Sequence, residues 1–379
     1  MSTNDTENES TSADDIESRH EQLETVAPAL ASDGFFRRHG RKIAIVAVFT
    51  IFLGIPLILA ALKFQQKIQL EPSVFYFLEE FFKYALMTAG IFWFFFFGAS
   101  FGSFLNVVAW RLPRGGTLLG SSYCQSCNTK LKMRDNFPLF GWLWLRGKCR
   151  YCEMRISGRY LIVEFIAAIG IGLLAIIEII GSGVNLLEPT NSQIFSFERL
   201  VLSPELRFIG YFLLHSCLIF ILLTSALVRC QQQQIPRKIF FFGFLVSITT
   251  AIFWPQAIPF SHTGQEIPSV DSMLTSTLPM ICGLCSGGIL GLVYTCLLMK
   301  KSFREHPEDT ILMALTGSFL GWQATVITGF LVGIILLLMR IFSKKHSMTE
   351  LLWLSALITI FTFRFWMESF RNWLPGNTI

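Results

Sequence analysis

Long apolar segments with few internal charges recur along this chain and restrict what it can fold into. About 20 apolar residues are enough for a helix to cross a bilayer. A chain that is 52% hydrophobic and 15% charged is typical of membrane proteins and unusual among soluble domains. The sequence therefore predicts an all-α polytopic membrane protein with about eight or nine transmembrane helices.

Seven segments are each interpreted as a single membrane span: Ile43–Leu62, Tyr84–Trp110, Leu161–Ile180, Phe208–Val228, Ile239–Phe260, Leu278–Met299 and Leu351–Met367. The stretch Ile311–Phe342 is long for one tilted helix and short for two, and Gly317 and Gly321 are candidates for a break. Two short spans here give nine in total, and one kinked helix gives eight. The cations Lys344 and Lys345 that follow favour nine, because loops inside the cell are enriched in Lys and Arg.

The N-terminal region differs in composition from the rest of the chain. Residues 1–40 begin with an acidic run rich in Ser, Thr and Asn, which predicts a disordered cytoplasmic tail. Residues 41–80 are interpreted as an additional transmembrane helix followed by an external linker. Residues 81–165 and 166–379 are predicted to form two further regions, the first of which carries a polar insertion at about 111–159.

Four cysteines lie in that insertion with the spacing C-x2-C-x21-C-x2-C: Cys124, Cys127, Cys149 and Cys152. Two such pairs bring four thiolates together cheaply, so the spacing predicts a zinc site, although iron is not distinguished by sequence. The alternative is two coincidental pairs of buried or palmitoylated thiols. A further C-x2-C pair, Cys282 and Cys285, lies within an apolar span and is interpreted as small-residue helix packing.

The insertion is strongly basic, with Lys and Arg far outnumbering its two acids, Asp135 and Glu153. The positive-inside bias therefore places it in the cytoplasm, where thiols stay reduced. Because the loop lies beside a membrane, we expect anionic lipid headgroups, and not nucleic acid, as partners of its cations.

The residues around the insertion carry a family resemblance. The segment Gly98–Gly115 contains small residues that permit close helix approach, and Asn106 should hydrogen-bond a neighbouring helix or backbone. This segment, the paired cysteines and the stretch Asp135–Glu164 together resemble the N-terminal domain of the prepilin peptidases, also called type IV leader peptidases. The resemblance is close from Gly98 to about Glu164, and it is weaker but collinear as far as about Leu338.

The resemblance implies a location and two activities. Members of the family lie in the inner (cytoplasmic) membrane and cleave the leader of prepilins and pseudopilins in type IV pilus or type II secretion biogenesis. Many then methylate the new N-terminus with S-adenosylmethionine. Cleavage uses two aspartates near the cytoplasmic ends of different spans, which must share a proton.

The first aspartate motif of the family is not retained. Ile235–Pro236 fixes the alignment, and the acidic positions are then occupied by Arg229, Gln231 and Arg237. Residues 207–259 contain no Asp or Glu, so a shift in register does not restore an acid. Arginine stays protonated and glutamine does not ionise, so neither replaces a titrating carboxyl. The alternative interpretation of Arg229 is a cationic anchor at the end of a span.

The second motif is retained in part. The stretch Leu312–Ala324 fixes the register and places Asp309 at the catalytic position, with His306 and Glu308 in place of two glycines. Asp309 also suits a helix N-cap. A substitute pair of Glu308 and Asp309 is not favoured, because adjacent residues on a helix point in different directions. If Arg229 lies near Asp309, we expect the two to form an ion pair.

Three functions follow from these observations. The first is a diverged prepilin peptidase with an impaired aspartic endopeptidase site, in effect a pseudoenzyme for cleavage. The second is a methyltransferase that has lost its protease half. The third is a non-catalytic scaffold in a pilus or secretion apparatus.

Overall fold

The computed structural model describes residues 46, 49–67, 74–181, 183–185, 206–254, 270–298, 307–341 and 348–367. Within these ranges the chain forms helices joined by turns, with isolated bridges in place of strands. The predicted all-α class is therefore confirmed. The predicted disordered tail, residues 1–40, lies outside the described residues.

The α-helices of the described residues are α1 Ile55–Lys67, α2 Val74–Arg111, α3 Phe140–Leu145, α4 Arg159–Ala175, α5 Leu206–Cys230, α6 Arg237–Phe253, α7 Val270–Val293, α8 Pro307–Ile341 and α9 Met348–Phe361. A π-helical turn, Ile176–Ile180, extends α4, and another, Tyr294–Leu298, extends α7. The chain divides into two compact units, Met1–Pro72 with α1 and Ser73–Ile379 with the other helices.

Five helical segments are long and apolar enough to cross a membrane: Val74–Arg114, Arg159–Ile180, Leu206–Cys230, Thr277–Cys296 and Pro307–Met339. The segments Thr50–Gln66 and Thr349–Phe361 are apolar but shorter. The helix predicted over Ile239–Phe260 ends at Phe253, because Pro255 disfavours helical backbone at Trp254. The number of crossings, eight or nine, stays a prediction.

Helix α5 lies at the centre of the second unit. Leu218, Leu222 and Val228 are fully buried on it, and it packs against α2, α4, α6, α8 and α9. The ring of Phe212 contacts Phe94 of α2 with centroids 5.3 Å apart. The C-terminal end of α5 is thereby brought beside the C-terminal end of α2.

Helices α2 and α4 approach closely through small residues. A methyl group at Gly98 would lie 2.6 Å from the carbonyl oxygen of Ala167, and one at Gly102 would lie 2.8 Å from Cα of Glu164. Asn106 donates from Nδ2 to the carbonyl of Tyr160, at 3.3 Å. Both expectations for the Gly98–Gly115 segment are confirmed, and this packing fixes where the cysteine loop leaves and re-enters the bundle.

Helix α8 folds back on itself at Gly321. That residue has φ 74° and ψ 171°, a conformation essentially restricted to glycine. A methyl group at Gly317 would lie 3.2 Å from Thr325 Oγ1, and one at Gly329 would lie 3.0 Å from Cε of Met313. These contacts pair residues on opposite sides of Gly321, so the predicted break is real and the two halves of α8 run antiparallel.

Three glycines on α7 bring its backbone against α8. Methyl groups at Gly283, Gly287 and Gly291 would lie 2.0, 2.2 and 2.7 Å from backbone atoms of Gly317, Met313 and Thr310 respectively. The neighbouring Cys282 and Cys285 are exposed. The interpretation of those cysteines as the packing residues was therefore wrong, because they lie on the other face of the helix from the glycines.

Candidate functional site

The four cysteines of the loop between α2 and α4 form one cluster. Their sulfur atoms all lie within 4.8 Å of one another. The Cys124 and Cys152 sulfurs are 3.8 Å apart, and those of Cys127 and Cys149 are 4.0 Å apart. Four sulfurs at about 2.3 Å from a tetrahedral zinc ion are about 3.8 Å from each other, so the donor set fits zinc.

The two halves of the cluster have the same local fold. The amide of Cys124 bonds Thr129 O and the amide of Cys149 bonds Met154 O, at 3.0 and 2.9 Å. Each half closes with an isolated bridge, Tyr123 with Lys130 and Lys148 with Arg155. Asn128 and Glu153 occupy equivalent positions and both have positive φ, 53° and 58°. Each knuckle is thus a tight turn that presents two thiols to the same point.

Two buried carboxylates hold the loop: Asp135 joins two parts of the loop, and Glu164 attaches the loop to α4. Asp135 accepts from Arg150 Nη2 at 2.5 Å and from Arg150 Nε at 3.1 Å. These bonds from Arg150 lower the pKa of Asp135 below its ordinary value of 3.8 and raise the pKa of Arg150. On α4, Glu164 accepts from the amide of Leu139 at 2.6 Å, and Leu139 is the N-cap residue of α3. Glu164 therefore acts as a capping partner of that short helix.

A second polar cluster forms where α5 ends and α8 begins. Arg229 is the penultimate residue of α5, and Glu308 and Asp309 lie in the first turn of α8. Arg229 Nη1 is 3.3 Å from Glu308 Oε2, and Arg229 Nη2 is 3.9 Å from Asp309 Oδ2. The exposed fraction of the Asp309 side chain is 2%, against about 15% for the other two. We call this group, with Thr349, the acid site.

The remaining oxygens of the two acids are held by neighbouring elements. Glu308 Oε1 accepts from the amide of Ile235 at 3.2 Å, in the turn between α5 and α6. Asp309 Oδ1 accepts from the hydroxyl of Thr349 in the first turn of α9. The acid site thus joins the ends of three helices, α5, α8 and α9.

Two expectations for the acid site were wrong. Asp309 is the third residue of α8, which begins at Pro307, so it is not the N-cap. Glu308 and Asp309 do not diverge, because both carboxylates reach the guanidinium of Arg229. Adjacent residues point in different directions on the free surface of a helix. Here the end of α5 lies across the first turn of α8, so one guanidinium is close to both carboxylates. His306 lies outside the described residues.

The other two replaced positions lie apart from this ion pair. Gln231 donates from Nε2 to the carbonyls of Leu227 and Ala109, at 3.1 and 3.4 Å, and its Oε1 accepts from Arg114 at 3.4 Å. It therefore connects the end of α5 to the end of α2. Arg237 is exposed at the start of α6.

Comparison with known proteins agrees with the local geometry. The Bacterial Peptidase A24 N-terminal domain family matches residues 96–177, which contain the end of α2, the cysteine loop and α4. An Escherichia coli O78:H11 protein named Type 4 prepilin-like proteins leader peptide-processing enzyme is 35% identical over 99 residues, which cover 21% of this chain and 37% of that protein.

Longer matches have lower identity. Proteins named Prepilin leader peptidase/N-methyltransferase are 26% identical in Klebsiella pneumoniae and 28% identical in Pseudomonas putida. The first match covers 60% of this chain and 83% of its relative, and the second covers 64% and 80%. No solved structure matches the chain.

These comparisons support membership of the prepilin peptidase family. The apolar helices and the relatives of this chain together indicate an inner-membrane protein. The family match explains why the cysteine loop and its helices keep the expected spacing. The cytoplasmic side of that loop and of the N-terminus stays a prediction.

The sequence did not reveal a third polar cluster, at the end of α4. Glu178 Oε1 lies 2.6 Å from His215 Nδ1 of α5 and accepts from Asn185 Nδ2 at 3.1 Å. Asn185 also donates to the carbonyl of Ile360 on α9, at 3.0 Å. These buried groups tie α4, α5 and α9 together. The sequence shows three polar residues in apolar surroundings, but their spacing does not indicate that they contact one another.

A cavity of about 620 Å³ lies between the cysteine loop and the helix ends. Its walls include Asn106, Trp110, Trp142, Tyr160 and Gln231. Asn106 is 3% exposed, and its Oδ1 lacks a hydrogen-bond partner among the described residues. The cavity has polar and aromatic walls, and its volume lies within the range that small-molecule sites occupy.

Proposed function

We propose that this chain is a prepilin-binding member of its family in which the aspartic protease site is impaired. The observation that carries the proposal is Arg229 at the position of the first catalytic aspartate, within ion-pair distance of both Glu308 and Asp309. Asp309 and Arg229 are thus the retained and the replaced catalytic positions. Prepilins or pseudopilins are the proposed partners, because the relatives are named for them.

The chemistry of the replaced position supports impairment. A carboxyl dyad activates water through a proton that two carboxyls share. At this site a guanidinium faces both carboxylates, and arginine neither accepts nor releases a proton near neutral pH. Its positive charge, 3.3 Å from Glu308 Oε2 and 3.9 Å from Asp309 Oδ2, favours the ionised form of both carboxyls over a shared proton.

Glu308 is the residue that most directly challenges this proposal. It supplies a second carboxylate beside Asp309, so removal of Arg229 alone would leave two acids close together. Glu308 Oε1 is bound to the amide of Ile235, however, and its other oxygen faces Arg229. A structural role at the helix junction accounts for both contacts.

Leader removal in cells that express the chain with a cognate prepilin tests the proposal. We expect leader cleavage by the natural chain to be on the order of 10²-fold slower than by Arg229→Asp, since positioned acid–base groups contribute that much. Lys238→Asp is the matched control, because it makes the same change of charge at an exposed position nearby.

Two further variants separate the explanations. Leader cleavage by the natural chain that is as fast as by Arg229→Asp and is lost in Asp309→Ala would refute the impairment. If Glu308→Gln also abolished that cleavage, Glu308 and Asp309 would be the working pair. Failure of both the natural chain and Arg229→Asp to cleave, with binding of prepilin retained, would favour the scaffold.

A second candidate function is N-methylation with S-adenosylmethionine as methyl donor. It is favoured by the cavity beside the cysteine cluster, which lies in the region that the family match covers. The aromatic side chains of Trp110, Trp142 and Tyr160 would contact the bound molecule, and zinc would hold the loop that forms one wall.

Transfer of labelled methyl groups from S-adenosylmethionine to the N-terminus of a mature pilin tests this candidate. We expect transfer by the natural chain and a loss in Asn106→Leu, which places a larger, apolar side chain in the cavity wall. Absence of transfer by folded, metal-loaded protein would contradict it.

A further inference from the structure

Helix α3 presents an apolar face that the described residues of the chain leave exposed. Its sequence, FGWLWL, has no polar side chain, and it lies within an otherwise basic loop. The exposed fractions of Phe140, Leu143 and Trp144 are 43%, 54% and 77%. These positions are spaced i, i+3 and i+4, so they form one continuous face.

The orientation of α3 is fixed by its opposite face. The indole of Trp142 donates to the carbonyl of Ile156 at 3.1 Å. Gly147, with φ 66°, packs against the same indole, and a methyl group there would lie 2.8 Å from it. A methyl group at Gly141 would lie 2.6 Å from the carbonyl of Asp135. Trp142 therefore points inward and Trp144 points outward, and α3 cannot rotate without breaking these contacts.

The position of α3 along the bundle indicates what surrounds its outer face. Phe137, just before α3, contacts Phe96 of α2 with ring centroids 5.2 Å apart. Phe96 lies about four helical turns before Arg111, roughly 22 Å along the helix axis. Phe96 belongs to the candidate membrane span Val74–Arg114. The segment that leads into α3 is thus level with the apolar part of α2, a helix long and apolar enough to cross a membrane.

The charges that flank α3 match the surface of an anionic membrane. Arg146 is the C-cap residue of α3 and is exposed, and Lys148 is exposed two residues later. Aromatic residues next to Lys and Arg are typical of membrane interfaces, where the rings enter the bilayer and the cations reach phosphate groups. The exposed apolar area alone would be unfavourable in water.

We propose that α3 is embedded in the bilayer leaflet on the side of the cysteine loop. Phe140, Leu143 and Trp144 lie among the acyl chains, and Arg146 contacts anionic phospholipid headgroups. The cysteine loop is then held against the membrane at three points, its two ends and α3. This placement of α3 is independent of any catalytic activity.

Photocrosslinking of the full chain in lipid vesicles tests this placement. The photoreactive residue p-benzoylphenylalanine is placed at position 144, with position 142 as the matched control on the opposite face. In phosphatidylglycerol vesicles we expect lipid adducts from position 144 and adducts within the protein from position 142. Absence of a lipid adduct from position 144 would overturn the proposal.

Two further measurements keep the test independent of the photoreactive residue. With acyl-brominated lipids, the natural chain should lose more tryptophan fluorescence than Trp144→Phe does, and equal losses would overturn the placement. Arg146→Glu should lower the adduct yield from position 144 in phosphatidylglycerol but not in phosphatidylcholine, whereas Lys130→Glu, an exposed change on the first knuckle, should not. An unchanged yield in Arg146→Glu would overturn the headgroup contact.

Discussion

The cysteine loop and the acid site both bring together residues that are distant in the sequence. In the loop the side chains suit the arrangement of the backbone, and in the acid site one side chain does not. In the loop, four thiols lie at the separations that a tetrahedral metal requires. In the acid site, the helix ends converge as two catalytic acids would need, yet an arginine stands at one position. The helix ends are placed by a packed core, so they tolerate a change of side chain. The polar loop has little core of its own, so its fold depends on its ligands.

Loss of a cysteine should have the largest effect. We predict that Cys149→Ser lowers bound zinc from one ion per chain to none and makes the loop sensitive to protease, because structural zinc contributes on the order of 10 kcal/mol. Elemental analysis and limited proteolysis measure both. Cys230→Ser, at an exposed thiol outside the cluster, should retain the metal. Full metal content in Cys149→Ser would contradict the claim that the fold of the loop depends on its four ligands.

Removal of the cation from the acid site should have the next largest effect. We predict that Arg229→Met lowers the free energy of unfolding by about 3 kcal/mol, because two largely buried carboxylates lose their partner. Denaturant titration in detergent measures it. The triple variant with Glu308→Gln and Asp309→Asn should recover most of the loss. If Arg229→Met were as stable as the natural chain, the ion pairs would have no structural role.

A smaller effect is expected at the ion pair of Asp135 and Arg150 within the loop. We predict that Asp135→Asn destabilises the loop by about 1–2 kcal/mol, because the charge-assisted bonds from Arg150 are weakened. Arg150 lowers the pKa of Asp135, so this contribution is present above the ordinary value of 3.8 and is lost as the pH falls through the lowered pKa. Hydrogen exchange of the loop at neutral and acid pH should therefore show a difference between variant and natural chain that shrinks in acid. A difference that grew in acid would contradict the assignment.

The smallest effect is expected where the two regions meet. Gln231→Ala removes two hydrogen bonds of 3.4 Å, to Ala109 at the end of α2 and from Arg114 just after it, and one of 3.1 Å to Leu227 of α5. We predict a loss of less than about 1 kcal/mol in the free energy of unfolding, because such bonds replace bonds to water. A loss as large as that of Arg229→Met would show that the loop and the acid site are one cooperative unit.

The features that sequence predicted correctly depend on local spacing. Two C-x2-C pairs specify a cluster because each tight turn orients its own two thiols. The length of each apolar segment predicted a helix. Gly98 and Gly102 predicted a close helix contact, because a residue without a side chain leaves room for any neighbouring helix. The polar Asn106 in an apolar run had to find a hydrogen-bond partner, and it did.

The features that sequence missed depend on how separate elements meet. Glycine at position 321 and the cations after Phe342 favoured two short spans, but the sequence did not show that the two halves pack on each other, with Gly317 beside Thr325 and Gly329 beside Met313. Small size did not distinguish Cys282 from Gly283 as the contact residue, since that depends on which face meets α8. Thr349 gave no signal, because its role comes from the placement of α9 beside the start of α8.

The glycine contacts between α7 and α8 determine how a peptide could reach Asp309. The backbone of α7 lies directly against the backbone of α8 at three glycines. Because no side chain separates the two helices at these positions, we expect α7 and this part of α8 to move together. Access from that side would require their separation. The removable cover is the first turn of α9, whose hydroxyl closes the remaining side of the carboxylate. The first turn of α9 is therefore the part of the acid site that can move without separating α7 from α8.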